Sequence, residues 1–161
     1  MQDCFYNSGA TAETGARNIY DFDNDMCDCF YAFFDCEKKA LEEIAPNLTF
    51  REFHVIETIL KLQKTNSNTL SIAATRLGIT LGSMTTAVSK LEQKGYLIKE
   101  RYIIDQRVHF ITPTQKAIEA SARHSAWHEG LVKELSRTFP QRDMDTIAAI
   151  FRDLTHFFRY I

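Results

Sequence analysis

The sequence predicts a mainly α-helical fold that carries one two-stranded β-hairpin. Apolar residues recur at spacings of three and four over most of the 161 residues, which is the period of an amphipathic helix. Two short helical segments meet at the tight turn Gly78-Ile79-Thr80. Two segments rich in β-forming residues, 96–102 and 108–112, follow directly. Helix, turn, helix and hairpin in this order predict a winged helix-turn-helix over residues 69–112.

The first 48 residues predict an arm and one long helix. Residues 1–18 are small and polar without a sustained period, which favours a flexible N-terminal arm. A helical period then runs from Ile19 to Ile44, and Pro46 ends it, because the residue before a proline avoids the α region. The apolar positions of this helix are Phe22, Met26, Cys29, Phe30, Phe33, Phe34, Leu41 and Ile44.

Residues 49–112 predict a winged helix-turn-helix domain. Thr49 with Glu52 three residues later forms a capping box that begins a second helix, ending near Lys64. Asn68 or Thr69 caps a third helix, which Gly78 ends. Ile79 is expected to be a buried link, and Thr80 then caps a fourth helix that runs to Gly95.

The fourth helix has two unlike faces. We expect its buried face to consist of Leu81, Met84, Val88 and Leu91. Its outward face consists of small, mostly hydroxyl-bearing residues and one cation: Gly82, Ser83, Thr85, Thr86, Ser89 and Lys90. Such side chains let a helix enter the major groove of DNA and bond to bases or phosphates. The alternative is an ordinary solvated helix face, which would carry more Glu, Lys and Gln.

The hairpin connection, residues 103–107, ends in Asp105-Gln106-Arg107. A guanidinium at a hairpin tip can enter the minor groove, where the negative potential is strong. Asp105 can hold Arg107 in place by a bidentate ion pair. The alternative is a plain surface salt bridge.

The C-terminal residues predict two more helices. Pro113 suits a first helical turn with Thr112 as its cap, and this helix should run to about Arg137. Pro140 separates it from a last helix over about 143–160. Broad apolar faces at both ends of the chain predict that residues 19–48 and 113–161 form a homodimerisation region. A dimer core is one interpretation of their aromatic residues, and an apolar tunnel for an acyl chain is another: Phe30, Phe33, Phe34, Phe151, Phe157 and Phe158.

Charge and composition exclude several classes of protein. The net charge is −2, but residues 49–112 carry +4 and residues 1–48 carry −7, so the middle of the chain can attract phosphate. We find no apolar run long enough for a membrane span and no secretory signal, and we expect a cytoplasmic protein. No phosphate loop, catalytic triad or paired-carboxylate motif is present. We therefore expect no enzyme, no catalytic residue and no cofactor.

Two further sets of residues leave alternatives open. His124 and His128 lie one helical turn apart and can bind an effector or a metal, with a third ligand from His54 or a cysteine. The alternative is a pair of surface or interface histidines, and the sequence assigns no complete metal site. Cys4, Cys27, Cys29 and Cys36 could sense oxidants, but neighbouring aspartates disfavour the thiolate that this chemistry needs.

The segment from Leu70 to Thr112 resembles the MarR family of winged-helix regulators. The resemblance lies in S-I-A-A-T-R-L-G-I-T, T-T-A-V-S-K-L-E-Q-K-G-Y-L, D-Q-R-V and H-F-I-T, and extends in helix order over about residues 19–160. It implies an obligate homodimer that binds a palindromic operator in double-stranded DNA. It also implies that Ser83, Thr85, Thr86, Ser89 and Lys90 face the major groove and Arg107 the minor groove.

Two strings resemble the fatty-acid synthesis repressor branch of this family: L-G-S-M-T-T from Leu81, and H-S-A-W-H-E-G-L-V from His124. This implies a repressor of lipid genes with an acyl-chain effector. The longer arm and Pro113 depart from that branch. Within the same family, the alternatives are a redox-sensing or a zinc-sensing regulator. The alternative from another class is a winged helix that binds protein, and it predicts no basic wing.

Overall fold

The computed structural model of the chain describes residues 19–101 and 109–160. The predicted arm and the tip of the hairpin, with Asp105 and Arg107, lie outside these residues. The described elements, in chain order, are α1 (Ile19–Ile44), α2 (Phe50–Gln63), α3 (Leu70–Leu77), α4 (Leu81–Gln93), β1 (Leu97–Arg101), β2 (His109–Pro113), α5 (Gln115–Thr138) and α6 (Gln141–Tyr160). The mainly α-helical, winged helix-turn-helix fold that the sequence predicts is confirmed.

Threonine side chains begin the helices of the winged part. At α2 the Thr49 hydroxyl accepts a hydrogen bond from Glu52 N (3.2 Å), and Glu52 Oε2 accepts one from Thr49 N (2.8 Å), which completes the predicted capping box. At α4 the Thr80 hydroxyl accepts from Ser83 N, as predicted, and at α3 the cap is Thr69, one of the two expected candidates, whose hydroxyl accepts from Ile72 N. Each cap satisfies a backbone N–H that has no partner within the helix.

The turn between α3 and α4 depends on a left-handed residue. Gly78 has φ +64°, a conformation that costs glycine little, and it ends α3. Ile79 N then donates to the carbonyl oxygen of Ala74 (3.0 Å), so the turn closes back on α3. The prediction that Ile79 is a buried link is wrong, since its side chain is 39% exposed. In so tight a turn the backbone of Ile79 is hydrogen-bonded to α3, while its side chain remains partly in solvent.

The hydrophobic core lies where α2, α3 and α4 meet the hairpin. Its largest fully buried side chains are Phe53, Ile56, Ile59, Met84, Val88, Leu91, Leu97 and Ile111. Ala117 and Ala120 of α5 complete it, and small residues there let α5 approach closely. The winged part and the start of α5 therefore share one core.

The hairpin is antiparallel, and its register pairs Leu97 with Pro113 and Arg101 with His109. The prediction that Pro113 begins the fifth helix, capped by Thr112, is wrong. Pro113 ends β2, and Thr114 is the residue that caps α5. Thr114 is held there because its backbone N donates to Tyr96 O (2.9 Å) and its hydroxyl donates to Gly95 O (2.8 Å). A proline tolerates a strand end because no ladder N–H is needed there.

The terminal helices project from this core. α1 packs against α5, and α6 packs against the end of α5. No residue of α6 is buried, although Ile150, Phe151, Phe157 and Phe158 lie on it. Among the described residues, no helix has the length and apolar character that a membrane crossing needs.

Candidate nucleic-acid interface

The buried residues of α4 set the orientation of its outward face. Met84, Val88 and Leu91 are fully buried, as predicted, and they fix the helix on the core. The opposite side presents the predicted residues together: Ser83, Thr86 and Lys90 are exposed, and Thr85 and Ser89 are half-buried. The structure therefore places five of the six predicted DNA-contact residues on one accessible helix face.

The start of α4 differs from the prediction. Leu81 was expected on the buried face, but its side chain is 52% exposed. The reason is its position as the first residue after the Thr80 cap, one turn ahead of the first core contact at Met84. Together with Ile79, it forms an exposed apolar edge beside the hydroxyl-bearing face.

The hydroxyl groups on α4 are oriented by the helix itself. Thr85 Oγ1 donates to Leu81 O (2.8 Å), and Thr86 Oγ1 donates to Gly82 O (3.1 Å). The Ser83 and Thr80 hydroxyls lie 2.9 Å apart and share a hydrogen bond. Because each hydroxyl also carries acceptor lone pairs, these side chains can still accept from a donor such as a base amino group.

The cations near α4 divide into two kinds. Lys94 Nζ lies 2.8 Å from both carboxylate oxygens of Glu52, so it ties the end of α4 to the start of α2. Partial burial raises the pKa of Glu52, but the hydrogen bonds from Lys94 and Thr49 outweigh burial, so the pKa lies below its ordinary value of 4.5. Lys90, by contrast, is exposed and forms no ion pair with any described residue. Among the described residues, Lys90 is therefore a cation of this face without an ion-pair partner.

The hairpin is anchored beside α3 by Asn68. This residue is buried, and its side-chain Nδ2 donates to Ile111 O (2.8 Å), while Ile111 N donates to the backbone oxygen of Asn68 (2.8 Å). A further bridge pairs Thr69 with Phe110. These bonds fix the hairpin against the start of α3, and hence against the helix-turn-helix.

Two cations outside the predicted set lie on neighbouring helices. Lys61 of α2 and Arg76 of α3 line a shallow groove together with Thr58, Leu62 and Thr65. Both contribute to the positive charge of residues 49–112, but the sequence predicts no particular role for either of them. The sequence signalled them only through the high number of basic residues in this segment. The proximity of Lys61 to Arg76 could not be predicted, because it depends on how α2 packs on α3.

A second polar cluster lies away from α4, where α1, α2 and α5 meet. His124 of α5 is 3% exposed, so it is not a surface histidine, whereas the expected alternative of an interface histidine stays a prediction. Its Nε2 lies 3.2 Å from Glu37 Oε1 of α1, and its Nδ1 lies 3.4 Å from Glu57 Oε1 of α2. His128 Nε2 lies 3.7 Å from the same oxygen of Glu37. The pKa of His128 lies below its ordinary value, because burial and, second, repulsion from His124 lower it. The carboxylates of Glu37 and Glu57 raise it, but they do not outweigh these two effects.

The residue that joins His124 and His128 is Glu37, and not His54 or a cysteine as expected. His54 is exposed and packs on the Phe50 ring, with 4.4 Å between ring centroids, and none of the described cysteines joins the cluster. Glu37 and Glu57 were missed by the sequence analysis. One signal was available: Glu37 interrupts the apolar spacing Phe34–Leu41 of α1, where a charged residue is unexpected. Among the cysteines, Cys29 is exposed, and Cys27 and Cys36 are half-buried.

Known proteins with a similar sequence or structure share the fold described above. No family model matches the sequence. A transcriptional regulator, ZitR of Lactococcus lactis subsp. cremoris (strain MG1363), is 29% identical over 115 residues, which span 70% of this chain and 77% of ZitR. The crystal structure of Streptococcus pneumoniae FabT in complex with DNA superposes with a TM-score of 0.78 at 22% identity, covering 88% of this chain and 98% of FabT. The chain has the fold of the MarR-family winged-helix regulators.

A further similar structure is that of a protein described as a MarR family member. A MarR family transcription regulator superposes with a TM-score of 0.71 at 13% identity and covers 88% of this chain and 90% of its own. Transcriptional regulators are a non-enzymatic class of protein. The resemblance found in the sequence is therefore confirmed at the level of the MarR-type fold, including the long helices on either side of the winged part.

Proposed function

We propose that the chain is a MarR-type transcriptional regulator that binds double-stranded DNA. The observation that carries this proposal is the accessible face of α4, which combines small hydroxyl-bearing residues with the exposed cation Lys90 and is followed by an anchored hairpin. Its MarR-type fold supports it, because S. pneumoniae FabT was crystallised with DNA.

In this proposal α4 is the recognition helix. Ser83, Thr85, Thr86 and Ser89 contact base edges or phosphates in the major groove, and Lys90 neutralises a phosphate. The exposed Leu81 suits a thymine methyl group, which is the apolar feature of that groove. Arg107 at the hairpin tip enters the minor groove, with Asp105 holding its guanidinium.

The regulator is proposed to act as a homodimer. α6 buries no residue although it carries four large apolar side chains that are at least half exposed, and α1 exposes Phe22 and Phe34 as well. A monomeric protein rarely leaves so large an apolar patch in water. A second copy, related by a two-fold axis, would cover both patches with the same residues. Residues 19–48 and 113–161 would then set the distance between two copies of α4.

An effector would act by changing that distance. Two recognition helices match successive major grooves when they lie about 34 Å apart. A ligand that binds better to a dimer with another spacing shifts the population away from the DNA-binding form. We propose an acyl chain as this ligand and lipid synthesis as the regulated process, on the strength of the two strings from Leu81 and His124. Native mass spectrometry of the protein purified from cells would reveal a bound acyl chain, and a dimer without one would contradict the acyl proposal.

A gel-shift or fluorescence-anisotropy titration with the promoter region of the protein's own gene tests DNA binding. We expect binding that weakens as salt rises, because bound phosphates release counterions. The variants Lys90→Ala and Arg107→Ala should weaken it, and the conservative control Gln63→Ala on α2 should not. An absence of salt-sensitive binding to any promoter fragment would contradict the proposal. That absence would favour the alternative, a winged helix that binds protein, in which Arg107→Ala changes nothing. Equal, measurable affinities of Arg107→Ala and the parent protein for DNA would mean that Arg107 does not contact it.

A further inference from the structure

The first residues of α4 after the Thr80 cap carry methyl groups rather than long polar side chains. Residues 81–86 include no Arg, Lys, Asn or Gln, the side chains that read guanine or adenine through two hydrogen bonds. In a helix-turn-helix, the N-terminal residues of the recognition helix are those that contact base edges. The chemistry of this segment therefore decides which bases the proposed regulator can read.

The two threonines of this segment have their hydroxyl hydrogens in use. Thr85 Oγ1 donates to Leu81 O (2.8 Å), and Thr86 Oγ1 donates to Gly82 O (3.1 Å). A hydroxyl group has one hydrogen, so these two oxygens can act towards DNA only as acceptors. Because the substituents of Cβ are staggered, the γ-methyl group of each threonine points away from the carbonyl that holds the hydroxyl. Each side chain therefore offers an acceptor and a methyl group, and no donor.

An acceptor together with a methyl group matches an A·T pair in the major groove. There adenine offers its N6 amino group as a donor, and thymine offers its C5-methyl group. Guanine offers only the acceptors N7 and O6 and cannot bond to a side chain without a donor. Cytosine offers a donor at N4 but has no methyl group. A·T pairs are thus the ones that satisfy both features of Thr85 and Thr86.

An aliphatic edge extends this methyl-bearing surface. Leu81 is 52% exposed and Ile79 is 39% exposed, and their burial against another apolar group is favourable. Beside them, a Cβ added at Gly82 would meet Thr80 Oγ1 at an ordinary 4.0 Å and no closer atom among the described residues beyond its chain neighbours. Packing within the chain therefore does not require a glycine here, whereas a glycine lets base edges approach the helix closely.

We propose that Leu81, Thr85 and Thr86 are specificity-determining residues of α4 and that they recognise thymine by its C5-methyl group. The inference rests on the proposed binding of double-stranded DNA and adds which base is read and through which atoms. Phosphate contacts position a protein on the duplex but carry no sequence information directly. Lys90 would therefore supply affinity, and the methyl contacts would supply discrimination between bases.

The test compares two forms of one duplex, the promoter region of the protein's own gene, prepared with thymine or with uracil at every T position. Uracil keeps the hydrogen-bonding groups of thymine and lacks its C5-methyl group. Burial of one methyl group changes affinity by about four-fold, so a homodimer with one contact in each half-site should bind the uracil duplex about 16-fold more weakly. Fluorescence anisotropy at one salt concentration measures both affinities.

Two sets of variants remove the methyl groups from the protein side. Leu81→Ala, and separately Thr85→Ser combined with Thr86→Ser, should each reduce the ratio of the two affinities by about four-fold or more. The serine variants keep the hydroxyl groups and lose only the methyl groups. Lys90→Ala should instead weaken binding to both duplexes by the same factor, because a phosphate contact does not sense the base.

Thr138→Ser is the matched control and should leave the ratio at its parent value. Thr138 of α5 is exposed, and its Oγ1 donates to Glu134 O (3.0 Å) in the same manner as the threonines of α4. Circular dichroism would verify that every variant is folded. The inference is overturned if the parent chain binds both duplexes equally, or if either Leu81→Ala or the combined serine variant keeps the parent ratio. A parent chain that binds neither duplex overturns the proposed function and this inference with it, so the two failures are distinguishable.

Discussion

Replacing Asn68 should loosen the hairpin from the helix-turn-helix. Its Nδ2 donates to Ile111 O at 2.8 Å, and both residues are buried. Asn68→Ala leaves that carbonyl oxygen buried without its side-chain partner, which costs about 1–3 kcal/mol. The backbone bond from Ile111 N to Asn68 O survives the substitution, so the loss should lie in the lower half of that range.

Urea unfolding at a fixed protein concentration measures this loss. With a urea slope of about 2 kcal/mol per molar, the midpoint of Asn68→Ala should fall by about 0.5–1 M. Asn68→Asp should lose at least as much, because a carboxylate cannot donate and its charge would face the Ile111 oxygen. Gln63→Ala, which removes an exposed amide at the end of α2, is the control and should leave the midpoint unchanged. An unchanged midpoint for Asn68→Ala would refute the argument that this bond anchors the hairpin.

Three other outcomes are expected. Glu52→Gln should destabilise the protein by about 1–2 kcal/mol at neutral pH, because it weakens the capping box and the ion pair to Lys94. The pKa of Glu52 in the folded protein lies below its ordinary value of 4.5. The difference in unfolding free energy between the parent and Glu52→Gln should therefore have its full size above pH 4.5 and vanish as the pH falls through the folded pKa. Urea midpoints at several pH values would measure it. Lys90→Ala should reduce the salt dependence of DNA binding by about 0.9 in the slope of log affinity against log salt, and an unchanged slope would mean that Lys90 contacts no phosphate. Phe151→Glu on α6 should convert a dimer to a monomer in light scattering, whereas a dimer of unchanged mass would place the interface elsewhere.

The boundaries of the winged part could be predicted because their causes are local. A threonine whose hydroxyl reaches the N–H three residues on is a property of four consecutive residues, so Thr49 and Thr80 were visible as caps and Thr69 as one of two candidates. The left-handed turn at Gly78 was equally local. Pro113 misled the prediction because a proline fits both a first helical turn and a strand end. The choice was made by hydrogen bonds from Thr114 to Gly95 and Tyr96, which lie far back along the chain.

The helices, the turn, the hairpin and the small polar face of α4 could be predicted from the sequence, since each follows from the spacing and chemistry of neighbouring residues. The exposure of Leu81 and the anchoring of the hairpin by Asn68 became visible only in the folded protein, because both depend on contacts between separate elements. The fold also brings Glu37, Glu57, His124 and His128 together from three helices that lie far apart in the chain. The sequence signalled the histidine pair because one helical turn brings its members together. It could not signal the carboxylates, because their distance from His124 depends on how α1 and α2 pack against α5.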